Sequence, residues 1–192
     1  METGNATASL NDFVWTIALY KADAAICGSN TALEMGYQNP DINSERTDVP
    51  EGNFIAKDIK SPFLVVLDST VKVGWKQGYA NKPLSPTANI IEVLSEKASP
   101  QYKNYFRRLN ISYIIAGKDH VDLVPAVRKL KNVFGIKVLG VLGGATLCWS
   151  VVKSGICNEL SICLSVVGEE EGKKPRFLRS GDVVEISQNI KH

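Results

Sequence analysis

Three short stretches place small, donor-rich residues where apolar runs end. Gly143-Gly144-Ala145-Thr146 follows the run from Ile136 to Leu142, Gly28-Ser29-Asn30-Thr31 follows Ala24 to Cys27, and Asp68-Ser69-Thr70 follows Phe63 to Leu67. In an open α/β sheet, ligands bind at the carboxyl ends of the strands. A strand-to-helix turn there exposes backbone N–H groups, and the helix dipole favours an anion such as a pyrophosphate. A side chain would hold the phosphate away, so Gly143 and Gly144 let the backbone approach closely. The Thr146 hydroxyl adds a donor in the first turn. The same pattern also suits a tight turn that merely needs positive φ. No GxGxxG accompanies it, so the standard dinucleotide fingerprint is absent.

Other chemistries have less to work with. His120 and His192 are the only histidines, which argues against a His-based zinc site or a Ser-His-Asp triad, and no metal site is expected. The four cysteines, Cys27, Cys148, Cys157 and Cys163, form no C-x-x-C pair and have apolar neighbours. They are read as reduced, buried thiols in a cytoplasmic protein. Arg107-Arg108, Lys129 to Lys131 and the charged run at 169–174 are read as solvated faces or a turn. Trp15, Trp75 and Trp149 are read as core or interface.

These stretches need elements to position them. Ser9 and Asp12 resemble a capping box, opening a helix with Leu10, Phe13, Val14, Ile17 and Ala18 on one face and an end near Ala22. Strands are expected at 23–28, 63–67, 89–94, 112–117 and 136–142, with two more at 159–167 and 182–186. Helices are expected at about 30–35, 100–109, 123–134, where Asp122 would cap, and 145–154. Residues 36–60, with Pro40, Pro50 and Gly52, read as a surface excursion. Alternating apolar strands and helices predict a mainly parallel sheet covered on both faces. The last two strands follow each other without a helix, which predicts an antiparallel edge.

The totals fit that picture. The 192 residues are 44% hydrophobic and 22% charged, enough apolar content for a substantial core. One domain spanning 1–192 is expected. A net charge of +2, from 22 basic and 20 acidic residues, argues against nucleic acid as the main partner. No apolar run reaches the roughly 18 residues of a membrane span, and "METGNATASLND" lacks the pattern of a signal peptide.

The segment "GIKVLGVLGGATLCWSVVKSGICNELSICL" resembles the reductase domain of bacterial riboflavin biosynthesis. In that family a strand ends in a double glycine followed by small residue–Thr–Leu, then a helix, a Gly–apolar pair and Asp-Glu-Leu. "ADAAICGSNT", "FLVVLDS" and "YIIAG…VDLVPAVRKLKNVFGIKVL" are similar to further family segments in the same order, from about residue 10 to 188. The resemblance implies a dihydrofolate-reductase-like fold, NADPH as cofactor and a homodimer. It also implies reduction of the ribosyl group of 5-amino-6-(5-phosphoribosylamino)uracil to ribityl, by hydride transfer to a Schiff-base or carbonyl carbon.

Carried over by position, Gly143, Gly144, Ala145 and Thr146 would cradle the cofactor phosphates. Gly28 and Thr31 would lie near the nicotinamide, and Ser69 near the adenosine 2′-phosphate. No catalytic side chain is assigned. The family's first strand, with its Ser-x-Asp-Gly-like motif, has no counterpart, because "METGNATASL" resembles the segment after that strand. Asn39-Pro40 comes later than the family's Asp-x-Pro, and no matching basic residue follows. Leu142 stands where the biosynthetic enzymes usually carry Glu, and Asn158 where they carry Asp. The alternative is a non-catalytic nucleotide-binding member of the same fold, or, more broadly, a Rossmann-like binder of another nucleotide.

Overall fold

The computed structural model describes residues 2–34, 40–81 and 87–161. Its elements run α1 (Glu2–Leu19), β1 (Ala24–Gly28), α2 (Ser29–Glu34), β2 (Phe63–Leu67), β3 (Tyr79–Ala80) and β4 (Ala88–Leu94). They continue α3 (Pro100–Arg108), β5 (Ser112–Ile115), α4 (Leu123–Phe134), β6 (Leu139–Gly143) and α5 (Ala145–Lys153). The strands β4, β2, β1 and β6 lie side by side and parallel. On the outer side of β4, β5 pairs parallel and β3 antiparallel. The mixed sheet with helices around it is consistent with the dihydrofolate-reductase-like architecture.

The strands are apolar on both faces because both faces are covered. One face carries Ala25, Cys27, Leu64, Val66, Ile90 and Tyr113, packed under Phe13 and Ile17 of α1, Ala32 of α2 and the aromatic side of α3. The opposite face carries Ala24, Ile26, Val65, Ile91, Val93 and Ile114, packed under Ala126 and Leu130 of α4 and Leu147 of α5. In α3, Ser99 caps the helix by accepting the Tyr102 amide at 3.3 Å, and Pro100 occupies the first turn. Tyr102, Tyr105 and Phe106 then share the inner stripe at helical spacing.

Several expectations need correction. Helix α1 starts at Glu2, so Ser9 and Asp12 lie inside it and form no capping box. Asp122 holds the N-cap position of α4, yet its side chain makes no cap hydrogen bond. Among the described residues an antiparallel edge is made by β3, through Tyr79↔Asn89 and Ala80↔Ala88. Glu159 to Ser161 are not strand, and the rest of the two expected late strands lies outside the described residues. The excursion after Pro40 is pinned to the sheet edge, where Phe54 and Tyr113 exchange backbone hydrogen bonds at 2.9 Å in both directions.

The basic residues read as solvated are partly committed. The Arg107 Nε donates to the Tyr113 hydroxyl at 2.9 Å and its guanidinium lies over Phe54, while Arg108 pairs with Glu45. Lys129 donates to the Ile115 carbonyl at 2.6 Å. Trp75 is buried in the core, and Trp15 is 64% exposed. Cys27 is a buried thiol, Cys148 and Cys157 are free and half-buried, and Cys163 lies outside the described residues. Burial, and secondarily the nearby Glu92, pushes the Cys27 thiol up to about 12.

Phe106 is fully buried and meets Tyr102 edge-on at 4.3 Å. Phe106→Ala therefore removes the contact that seats α3 on the sheet. It should cost about 3–5 kcal/mol of stability in urea unfolding.

Candidate functional site

The ends of β1, β2 and β6 converge because β1 lies between the other two. Gly28 faces Leu67 in β2, and Cys27 faces Gly143 in β6. The β1–β6 register shifts between Ile26, which faces Val141, and Cys27, which faces Gly143. Leu142 is thus the extra residue of a bulge, a device that re-aims a strand end. Chain direction then changes within two residues. Gly143 has φ +113°, a region that favours glycine, and Gly144 is extended and opens α5 as its N-cap. The peptide between them is cis.

A cleft of about 700 Å³ lies between these turns. One wall is Gly28, Ser29, Asn30, Thr31 and Glu34, from the end of β1 and α2. The other is Gly144, Ala145, Thr146, Leu147 and Ser150, from the first two turns of α5, and Leu67 lies between them. The Gly144 carbonyl accepts the Leu147 and Cys148 amides at 3.0 and 3.1 Å. The Ala145 and Thr146 amides precede any intrahelical acceptor and face a ligand position. A Cβ placed on Gly144 would lie 3.6 Å from Thr31 Oγ1. The two glycine-bearing turns therefore face each other across a gap the width of a side chain.

The structure brings together Gly28, Thr31, Gly144, Ala145 and Thr146 along the cleft. Gly143 sits buried just behind Gly144. Ser69 is not among the lining residues, and its hydroxyl accepts the Val121 amide at 2.8 Å. Asp68 turns inward too. It is fully buried, and its Oδ2 accepts the amides of Lys72 (2.7 Å) and Val73 (2.9 Å) and the Tyr102 hydroxyl (3.1 Å). The third donor-rich strand end thus organises the following loop. Ser29, Asn30, Glu34, Leu67, Leu147 and Ser150 were not assigned from the sequence as site residues. Two helical spacings pointed to part of the set: Glu34 follows Asn30 by four residues, and Ser150 follows Thr146 by four. Ser150 is already engaged, donating to the Thr146 carbonyl at 2.8 Å.

Residues 9–176 match the RibD C-terminal domain family. The chain belongs to that family. It is also 27% identical over 167 residues to the 2,5-diamino-6-ribosylamino-4(3H)-pyrimidinone 5′-phosphate reductase of Methanothermobacter thermautotrophicus, covering 86% of this chain and 68% of that relative. The matched span contains both walls of the cleft.

The glycine pair separates two effects that substitution can resolve. Gly143→Ala places a side chain at φ +113° and should cost about 1–3 kcal/mol. Gly144→Ala, at φ −72°, should change stability by less than about 1 kcal/mol. Denaturant midpoints of the two variants check the contrast.

Proposed function

We propose that the chain is an NADPH-dependent reductase of the riboflavin-biosynthesis type, acting on a phosphorylated ribosylamino-pyrimidine. Family membership and the reductase relative support an oxidoreductase role. The observation that carries the cofactor assignment is the cleft itself, with a helix N-terminus on one wall and a Gly-Ser-Asn-Thr turn on the other. Its volume suits a cofactor-sized ligand, and the gap between Gly144 and Thr31 suits close backbone approach. A dinucleotide needs both features, because its pyrophosphate takes backbone donors while the rest of the molecule needs length along the cleft.

In this reading Gly144, Ala145 and Thr146 hold the phosphates through first-turn amides and the Thr146 hydroxyl. Gly28 leaves room beside the nicotinamide, since a Cβ there would meet nothing within 4 Å. Thr31 offers a hydroxyl opposite Gly144. Bound NADPH would supply the hydride that reduces the C=N or C=O carbon of the opened ribosyl group. The chain's own contribution is to orient that carbon and exclude water, which supplies much of the rate enhancement when geometry is well held. Ser69 keeps a scaffold role through Val121. A homodimer is part of the proposal, and the exposed Val14, Trp15 and Leu19 of α1 offer it an apolar surface.

The test is a melting-temperature titration with NADPH and NADH, followed by turnover with the phosphorylated ribosylamino-pyrimidine. NADPH at about 100 times its Kd adds about 2.7 kcal/mol, which raises Tm by roughly 5–10 °C. NADH should give a smaller rise. Gly144→Ala should weaken NADPH about tenfold, or about 1.4 kcal/mol. Absence of any shift with either nucleotide would remove the cofactor assignment. A shift without turnover would favour the non-catalytic nucleotide-binding reading.

A further inference from the structure

Behind the cleft lies a buried polar group that its chemistry does not use. Glu92 sits in the middle of β4, opposite Val66 of β2 in the parallel register and fully buried. Asp68 lies just past the end of β2, also fully buried. Alternation along the strands puts both carboxyl groups on the α3 side of the sheet. Each has one satisfied oxygen and one orphan. Glu92 Oε1 accepts the Trp75 indole N–H, and Asp68 Oδ2 accepts three donors. Glu92 Oε2 and Asp68 Oδ1 are buried without a hydrogen-bond partner.

Two buried orphan acceptors on neighbouring carboxyl groups make a costly arrangement if both groups are charged. One proton resolves it, because a carboxylic acid becomes a donor. Asp68 already accepts two backbone amides and shares the Tyr102 hydroxyl with the Val73 carbonyl, whereas Glu92 accepts only one bond, so the proton belongs on Glu92. We propose that Asp68 and Glu92 hold a single proton between them, carried on Glu92, and that this pair is a pH-sensitive latch for the 69–75 segment.

The latch reaches that segment directly. Asp68 fixes Lys72 and Val73, the Tyr102 hydroxyl donates to the Val73 carbonyl at 2.7 Å, and Glu92 holds Trp75. The groups facing Glu92 are Cys27 from β1, Asp68 from β2, Trp75, Tyr102 and Tyr105 from α3, and Tyr113 opposite it in β5. Arg108 and Glu45 act further out, on Tyr105. Burial, and then the Asp68 charge, holds the Glu92 carboxyl well above the usual range. The sign follows from linkage. A carboxyl raised on folding contributes stability that is fully present below its ordinary value and is lost as pH rises to the folded value. Leu67, the residue before Asp68, lines the cleft, so opening the latch loosens that wall at alkaline pH.

The test does not depend on what the cleft binds. Infrared spectra of the full chain at neutral pH should contain a protonated-carboxyl band that is absent from Glu92→Gln. The Tm of the unaltered chain should fall from mildly acidic to alkaline pH, and that slope should flatten in Glu92→Gln, whose amide does not titrate. If Glu92→Gln does not fold, the band is followed in the unaltered chain and in Asp68→Asn, where it should titrate at lower pH. No protonated-carboxyl band at neutral pH, or an unchanged slope in Glu92→Gln, would overturn the proposal.

Discussion

The bulged pairing of β1 with β6 is the constraint on which the cleft depends. Had the register run on without a break, Cys27 would face Leu142 and Gly143 would lie one step further along. The extra residue at Leu142 brings Gly143 level with Cys27, so the turn into α5 starts beside the turn into α2. Two helix starts that belong to distant parts of the sequence then share one space. The ladder that fixes this is central in the sheet: β1 pairs with β2 along five residues and with β6 on its other side. At the start of β6, Asp23 Oδ2 accepts the amides of Lys137 and Val138 at 2.8 and 3.0 Å. Those backbone hydrogen bonds hold the Asp23 carboxyl below the usual range, so the strand is clamped at one end and bulged at the other.

The two sides of the β2 end divide the labour. Leu67 lines the cleft, and Asp68, next in the chain, serves the interior. One oxygen of the buried Asp68 carboxyl accepts the Lys72 and Val73 amides and shares the Tyr102 hydroxyl with the Val73 carbonyl. Those bonds fix the path from β2 through Trp75, whose backbone N–H donates to the Tyr105 hydroxyl. Helix α3 therefore reads the 69–75 segment through two tyrosine hydroxyls, and the aromatic stripe that packs it also keeps the loop in place.

Most of the architecture was legible because parallel strands buried on both faces appear as continuous apolar runs. Phe63–Leu67 and Ser112–Ile115 are such runs, and both are found as strands. The start of α1 was not legible: Ser9 and Asp12 suit a cap or a helix interior equally, and only the residues before them decide. The two-residue β3 has no periodicity to read, since its pairing comes from β4. The turns carrying Gly28 and Gly144, which line the cleft, were legible as turns because each glycine ends an apolar run and precedes a helix. The roles of Asp68 and Ser69 were not, because sequence adjacency does not say which of two neighbouring side chains turns inward. Glu34 and Leu67 line the cleft by position alone.

The departures from the riboflavin reductase pattern can be placed on this frame. Leu142 packs against the cluster beneath α1, not among the residues that line the cleft. As the bulged residue it fills space next to the core with an apolar side chain. Asn158 is exposed beyond the end of α5. The cleft lining combines small and hydroxylic residues with Asn30, Leu67 and Leu147, and Glu34 is the one carboxylate among them. Such a set suits holding phosphates and a planar ring more than moving protons. In the proposed reading the chain works by where it holds cofactor and substrate. The bulge, the glycine turn and the first turn of α5 set the spacing of the two cleft walls.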